Sequence, residues 1–122
     1  VEIRNPYQYK TKGEMLKECA NQNFIKKYAH TSTSCGRYAR NGYKHCGRCL
    51  PCLIRRAAFR KWGKADRTTY VFADLAKDDK GHARYDDVRA AAMAVAAVKA
   101  EGVARWAGTA LSATQLGDVQ PY

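Results

Sequence analysis

Met15, Leu16, Cys19, Ala20, Phe24, Ile25 and Tyr28 recur at intervals of three and four residues, the period of a helix with one apolar face. Ahead of them, Thr11-Lys12-Gly13-Glu14 has the form of a capping box, in which the Thr hydroxyl and the Glu carboxylate satisfy each other's backbone N–H groups. A helix is therefore predicted from about Lys12 to about Tyr28, with Asn21 and Asn23 favouring a break. The aromatic stretch Pro6 to Lys10 reads as extended, and the Ser, Thr, Gly and Asn content of Thr31 to Gly47 reads as loop. A second helical pattern runs from Leu53 to Trp62, with Leu53, Ala57 and Phe59 to Trp62 turned partly inward. After a polar stretch from Lys77 to His82, Asp86 or Asp87 is placed to cap an Ala-rich helix from about Val88 to Ala100. Gly102 ends or kinks that helix, and another follows from about Val103 to Leu111, the alanines permitting close packing. Met93 and Trp106 read as core, and Gln115 to Tyr122 as a fraying tail. The pattern is mainly α. It divides into residues 1–62 and an Ala-rich helical extension, residues 63–122.

Length allows one domain and no more: 122 residues. The longest apolar run, Ala90 to Val98, falls well short of the roughly 20 residues a membrane crossing needs, and Arg89 and Lys99 bracket it. No membrane association is expected, and the chain reads as soluble and cytoplasmic. Its opening, Val1-Glu2-Ile3-Arg4-Asn5-Pro6, has neither an initiator Met nor a targeting signature and reads as the interior of a longer polypeptide. The formal charge of +11 is uneven, because residues 1–61 carry 14 Lys and Arg against 3 acids, while residues 62–122 carry 8 of each. Lys44, Arg48, Arg55, Arg56, Arg60 and Lys61 suit a phosphate-rich partner, nucleotide or nucleic acid, or else a solvated basic face. The paired acids Asp78, Asp79, Asp86 and Asp87 read as caps and solvated charge, and no catalytic dyad is assigned.

Chemistry concentrates in Cys35, Cys46, Cys49 and Cys52, a C-x10-C-x2-C-x2-C arrangement. A C-x-x-C turn points two thiolates at one ion, a third Cys three residues on stays in reach, and a distant fourth closes a tetrahedron. Zinc is the expected metal, and four thiolates plus Zn2+ carry a charge of about minus two that offsets part of the basicity. An iron-sulfur cluster is the rival, although Pro51 precedes the last Cys rather than following it. A disulfide framework fits less well, since the five cysteines are odd in number with Cys19 left over. A closed four-thiolate shell leaves no position for a catalytic water, so the role would be structural. His45 and His30 are substitute ligands only if a position is vacant, and Cys19, among Met15, Leu16 and Ala20, reads as a small buried core residue.

Asn5-Pro6, Thr11-Lys12-Gly13-Glu14-Met15, Thr33-Ser34-Cys35 and Cys46-Gly47-Arg48-Cys49-x-x-Cys52-x-x-Arg55-x-x-Ala58-Phe59 together resemble, in order and spacing, the C-terminal part of 7-cyano-7-deazaguanine synthases, the QueC-like proteins. The resemblance covers roughly residues 5–60. It implies the C-terminal fragment of a Rossmann-like α/β PP-loop protein: a zinc-stapled loop with flanking helices, whose parent activates a carboxylate as its adenylate with ATP and Mg2+. It also implies that Cys35, Cys46, Cys49 and Cys52 hold a structural zinc, and that Lys12, Arg48 and Arg55 contact phosphate or substrate. No Ser-Gly-Gly-x-Asp-Ser phosphate loop occurs in these residues, so this chain alone should not adenylate anything. The ten-residue gap after Cys35 and the Ala-rich extension look like the divergent branch found in anti-phage defence operons, such as the Qat system. There the target would be a partner protein.

Two functions from different classes follow. In the first, the chain is the zinc-bearing end of a QueC-like ligase, partnered by a PP-loop domain outside these residues and, as among relatives, a second copy. In the second, it is a freestanding zinc-ribbon-like module that binds nucleic acid through its basic first half, with Tyr38, Tyr43 and Phe59 as stacking surfaces. Residues 1–12 would pack on the PP-loop sheet in the first case, leaving apolar surface exposed in its absence.

Overall fold

The structure is a computed structural model that describes residues 2–77 and 87–112. Its regular elements are helices: α1 (Lys12–Glu18), α2 (Gln22–Tyr28), α3 (Leu50–Trp62), α4 (Asp87–Glu101) and α5 (Val103–Ser112), with 3-10 turns at Ala29–Thr31 and Ala39–Asn41. The chain divides into two compact units, Val1–Val88 and Arg89–Tyr122.

The capping box forms as the sequence predicts. Thr11 Oγ1 accepts from the Glu14 N–H at 3.3 Å, and Glu14 Oε2 accepts from the Thr11 N–H at 2.8 Å. The backbone and side-chain hydrogen bonds from Thr11 hold the Glu14 carboxyl below its ordinary value. The long helical pattern breaks where the asparagines stand, because Asn21 Oδ1 accepts from the Phe24 N–H at 2.9 Å and starts α2 afresh. Gln22 joins the pieces: its Nε2 donates to Leu16 O at 3.0 Å and Cys19 O at 2.7 Å, orphan carbonyls at the end of α1. Its Oε1 accepts from Trp62 Nε1 of α3 at 3.0 Å. Gly13 lets α1 cross α3 closely, since a Cβ there would lie 2.5 Å from Lys61 Cβ and 3.2 Å from Ala58 O.

Three local expectations are corrected. Pro6 to Lys10 is a turn rather than an extended strand, because Asn5 Oδ1 accepts from the Tyr7 N–H and the Lys10 N–H closes onto Tyr7 O at 3.0 Å. α3 begins at Leu50, three residues before the expected Leu53: Pro51 occupies the first turn, where its missing N–H costs nothing, so Cys52 lies inside the helix. Its inward face is Cys52, Arg55, Ala58, Phe59 and Trp62, while Ala57 is exposed and Leu53 half-buried.

Residues 63–77, grouped in the sequence reading with the extension, return to the cysteine segment. A parallel bridge joins His45 to Tyr70, with Val71 N–H donating to His45 O at 2.9 Å and Phe72 N–H to Cys46 O at 3.1 Å. Asp87 begins α4, and its carboxylate accepts from the Leu50 N–H at 2.6 Å at the start of α3. Asp78, Asp79, Asp86, the end of the polar stretch at His82 and the Gln115 to Tyr122 tail lie outside the described residues. In α4 and α5 Met93 is exposed and Trp106 half-buried, so Met93 is not core. Among the described residues no helix is long and apolar enough to cross a membrane.

Candidate metal centre

The four cysteines converge from two directions. Cys35 follows the first 3-10 turn through the short segment Ser32 to Ser34, and Cys46 and Cys49 form a knuckle that runs directly into α3, whose first turn presents Cys52. Between the arms, Gly42 (φ 59°) and Tyr43 (φ 58°) are both left-handed and turn the chain back toward Cys46. Gly47, inside the knuckle, has φ 89°, and a Cβ there would meet Phe72 O at 2.4 Å and Arg56 Nη2 at 2.9 Å. Both the backbone angle and the close approach require glycine.

All four Sγ atoms lie within 4.8 Å of one another, and all four residues are buried. Cys46 and Cys52 Sγ are 3.9 Å apart, and Cys49 and Cys35 Sγ 3.8 Å. A tetrahedron with metal–sulfur bonds of about 2.3 Å has edges of about 3.8 Å, so the set fits one ion. Those separations are far beyond the roughly 2.05 Å of a disulfide, and the five cysteines are free thiols. A multi-iron cluster carries its thiolates on separate irons and spreads them more widely than sulfurs that share one ion.

Backbone amides point at the sulfurs. Cys35 Sγ accepts from the Cys46 and Arg37 N–H groups at 3.3 and 3.4 Å, and Cys46 Sγ from the Cys49 N–H at 3.3 Å. Burial works to raise the Cys46 thiol, but the Cys49 and Arg48 N–H donors outweigh it and hold it below the ordinary value. Burial pushes the Cys49 and Cys52 thiols up, and the negative charge of Cys46 pushes each further. A divalent cation at the centre removes that repulsion, which is the chemistry this donor set offers a metal. Bound there, it would staple the loop to α3.

His45 is not a ligand. It is buried, and its Nε2 accepts from the Ser34 N–H at 3.3 Å, which aligns the segment leading to Cys35. Burial, with the charge of Arg55, keeps the imidazole below its ordinary pKa against a weaker pull from Asp66. Tyr38 and Tyr70 pack edge-on against His45 at centroid distances of 5.2 and 6.1 Å and cover the sulfurs. Cys19 is half-buried and His30 sits in the first 3-10 turn, both away from the cluster.

Three arginines of the basic segment, Arg48, Arg55 and Arg56, face inward. Arg55 is 7% exposed, and donates from Nε to Thr68 Oγ1 at 2.8 Å, from Nη1 to Ser32 Oγ at 3.0 Å and from Nη2 to Ala29 O at 2.7 Å. Arg56 stacks over Tyr70 at 3.9 Å and donates to Gly47 O and Phe72 O at 3.1 and 2.8 Å. Arg48 is buried and donates to Lys77 O at 3.0 Å. Lys12, Lys44, Arg60 and Lys61 are exposed. Lys12 and Arg55 line one cleft, of which Arg48 is not part. Phe59 is buried and Tyr38 half-buried, so with Tyr43 they make no shared stacking face. Sequence reasoning missed Asp66, Thr68 and Tyr70, which hold the outer wall: Asp66 accepts from the Thr68 N–H at 3.0 Å and the Tyr70 hydroxyl at 2.6 Å. The Asp-x-Thr turn was the one local signal for them.

Comparison with known proteins gives the same direction. The family model described as "Queuosine biosynthesis protein QueC" matches residues 1–63, a little over half the chain, and contains the whole cysteine set. A "7-cyano-7-deazaguanine synthase" from Methanococcus aeolicus is 34% identical over 77 residues, which cover 58% of this chain and 31% of the relative. The chain thus spans about a third of the length of that relative. No solved structure matches. With the family match running through α1, the knuckle and the inward face of α3, the chain belongs to the QueC family.

Proposed function

We propose that this chain is the structural zinc-bearing C-terminal region of a QueC-family ligase that uses ATP and Mg2+ to activate a deazapurine-type carboxylate as its adenylate. The observation that carries the reading is a set of four buried sulfurs, all within 4.8 Å of one another and so close enough for one tetrahedral ion, lying inside the segment matched to the family. Among metals with that preference, zinc suits a closed thiolate site with no open position and no need for redox change. The metal's contribution is folding: it fixes the loop at Cys35 against the first turn of α3. Adenylation belongs to a Rossmann-like PP-loop domain outside these residues, because the sequence has no Ser-Gly-Gly-x-Asp-Ser loop. The ten-residue spacing after Cys35 and the Ala-rich α4 and α5 support placement in the anti-phage defence branch, where the acceptor is a partner protein. The test is AMP release by the full protein, with its PP-loop domain, given ATP, Mg2+ and a deazapurine carboxylate. Carboxylate-dependent AMP supports the reading, and ATP turnover indifferent to the carboxylate overturns it.

A further inference from the structure

Within the unit Val1–Val88, α1, α2 and α3 enclose a cleft of about 860 Å3 that the metal centre does not use. Tyr7, Phe24 and Tyr28 line it and remain exposed, Phe24 at 58% and Tyr28 at 43%. The Phe24 and Tyr28 rings are neighbours on α2, with centroids 4.8 Å apart. Cations surround them. Lys12 lines the cleft and is exposed, Lys27 Nζ lies 5.1 Å over the Tyr28 ring, and Arg67 Nη2 is held at the end of α2 by Lys26 O at 3.0 Å. No Asp or Glu is among the described residues lining the cleft. Arg55 is in its wall but donates to three internal acceptors, so the cations open to an incoming anion are those at the rim.

We propose that this cleft and the exposed face of α2 bind single-stranded nucleic acid, the Phe24 and Tyr28 rings stacking on bases while Lys12, Lys27 and Arg67 take phosphates. Rings accept any base by its flat face, and cations alongside follow the backbone. An apolar protein segment would satisfy the rings but leave the cations unmatched. A duplex would meet the cations but keep its base faces inside the stack, and a single nucleotide would not draw on an excess of 14 basic residues over 3 acidic ones in residues 1–61. The site goes beyond the ligase reading, and it requires that the exposed face of α2 stay open when the PP-loop domain packs on residues 1–12. It also differs from the face made of Tyr38, Tyr43 and Phe59, since Phe59 is buried.

The test is fluorescence anisotropy with a labelled oligothymidine of about 16 nucleotides, using metal-loaded protein. Three phosphate contacts predict a slope of log K against log salt of about −2, or binding roughly 18-fold weaker at 200 mM than at 50 mM salt. Phe24→Leu with Tyr28→Leu keeps the cleft apolar but removes stacking, and should weaken binding at least about tenfold with unchanged metal content and melting temperature. Lys27→Glu with Arg67→Glu should flatten the salt slope toward about −0.7, whereas Arg40→Glu, on the second 3-10 turn, should leave it near −2. Absence of binding at 50 mM salt, equal affinity for duplex, full competition by a mononucleotide, or no effect of the leucine pair in a folded, metal-loaded protein would each overturn the proposal.

Discussion

Replacing Arg55 should destabilise the cysteine unit before it changes any chemistry. The guanidinium spans three parts of the chain, reaching Ala29 O and Ser32 Oγ on the loop before Cys35 and Thr68 Oγ1 on the returning segment, from a helix that carries Cys52. It also lies over the Phe59 ring at 5.3 Å. In Arg55→Met the stem volume is kept, but Ala29 O and Thr68 Oγ1 face a thioether. Each sheltered acceptor without a donor costs about 1–3 kcal/mol, and no longer burying a charge offsets part of that, leaving a loss of roughly 3 kcal/mol. Arg55→Lys keeps the charge but can reach fewer acceptors than the planar fork, so about half the loss should return. Urea unfolding of the metal-loaded protein, followed by circular dichroism, should give lower midpoints at unchanged slope in the order Met below Lys below the parent. If Arg55→Met fell within about 0.5 kcal/mol of the parent while a nucleotide or substrate interaction disappeared, the residue would be a ligand contact and the structural account would be wrong.

Three further outcomes follow from the site. Cys49→Ser should lose the metal and most of the folded signal, since a structural zinc contributes on the order of 10 kcal/mol to such a fold; a variant that stays folded without metal would contradict the staple role. Gly47→Ala should cost about 2 kcal/mol or more through its left-handed angle and the contact with Phe72 O, measured as a lower melting temperature, and unaltered melting would show that the knuckle relaxes freely. For Asp66, burial raises the carboxyl pKa, but hydrogen bonds from Thr68 and Tyr70 outweigh it and leave the folded value below the ordinary one. Its stabilising contribution is thus complete above the unfolded value of about 3.9 and fades as pH falls through the lower folded value, so Asp66→Asn should be less stable near neutrality and the gap should close in acid. A gap that stays constant with pH would remove the carboxylate from the account.

What could be read from the chain was local. Thr11 with Glu14, the break at Asn21 and the cysteine spacing each rest on groups a few residues apart, and all three form as predicted. The start of α3 was misplaced because the C-x-x-C triplet reads as loop, although Pro51 is a signal for a first helical turn. The inward arginines were harder to see. A basic run normally faces solvent, and only the distant acceptors Ala29 O, Thr68 Oγ1 and Phe72 O, supplied by tertiary packing, make burial of Arg55 and half-burial of Arg56 affordable. Asp66 to Phe72 has no helical or alternating period, so its role as the wall over the sulfurs could not be foreseen from pattern.

The central claim is that four thiolates hold one zinc ion for structure. Metal analysis of the purified protein combined with X-ray absorption at the metal edge tests it directly. The account predicts one zinc per chain, bound by four sulfurs at about 2.3 Å with no oxygen or nitrogen ligand. Iron with inorganic sulfide, a metal bound by fewer than four sulfurs, or a folded metal-free protein would contradict it.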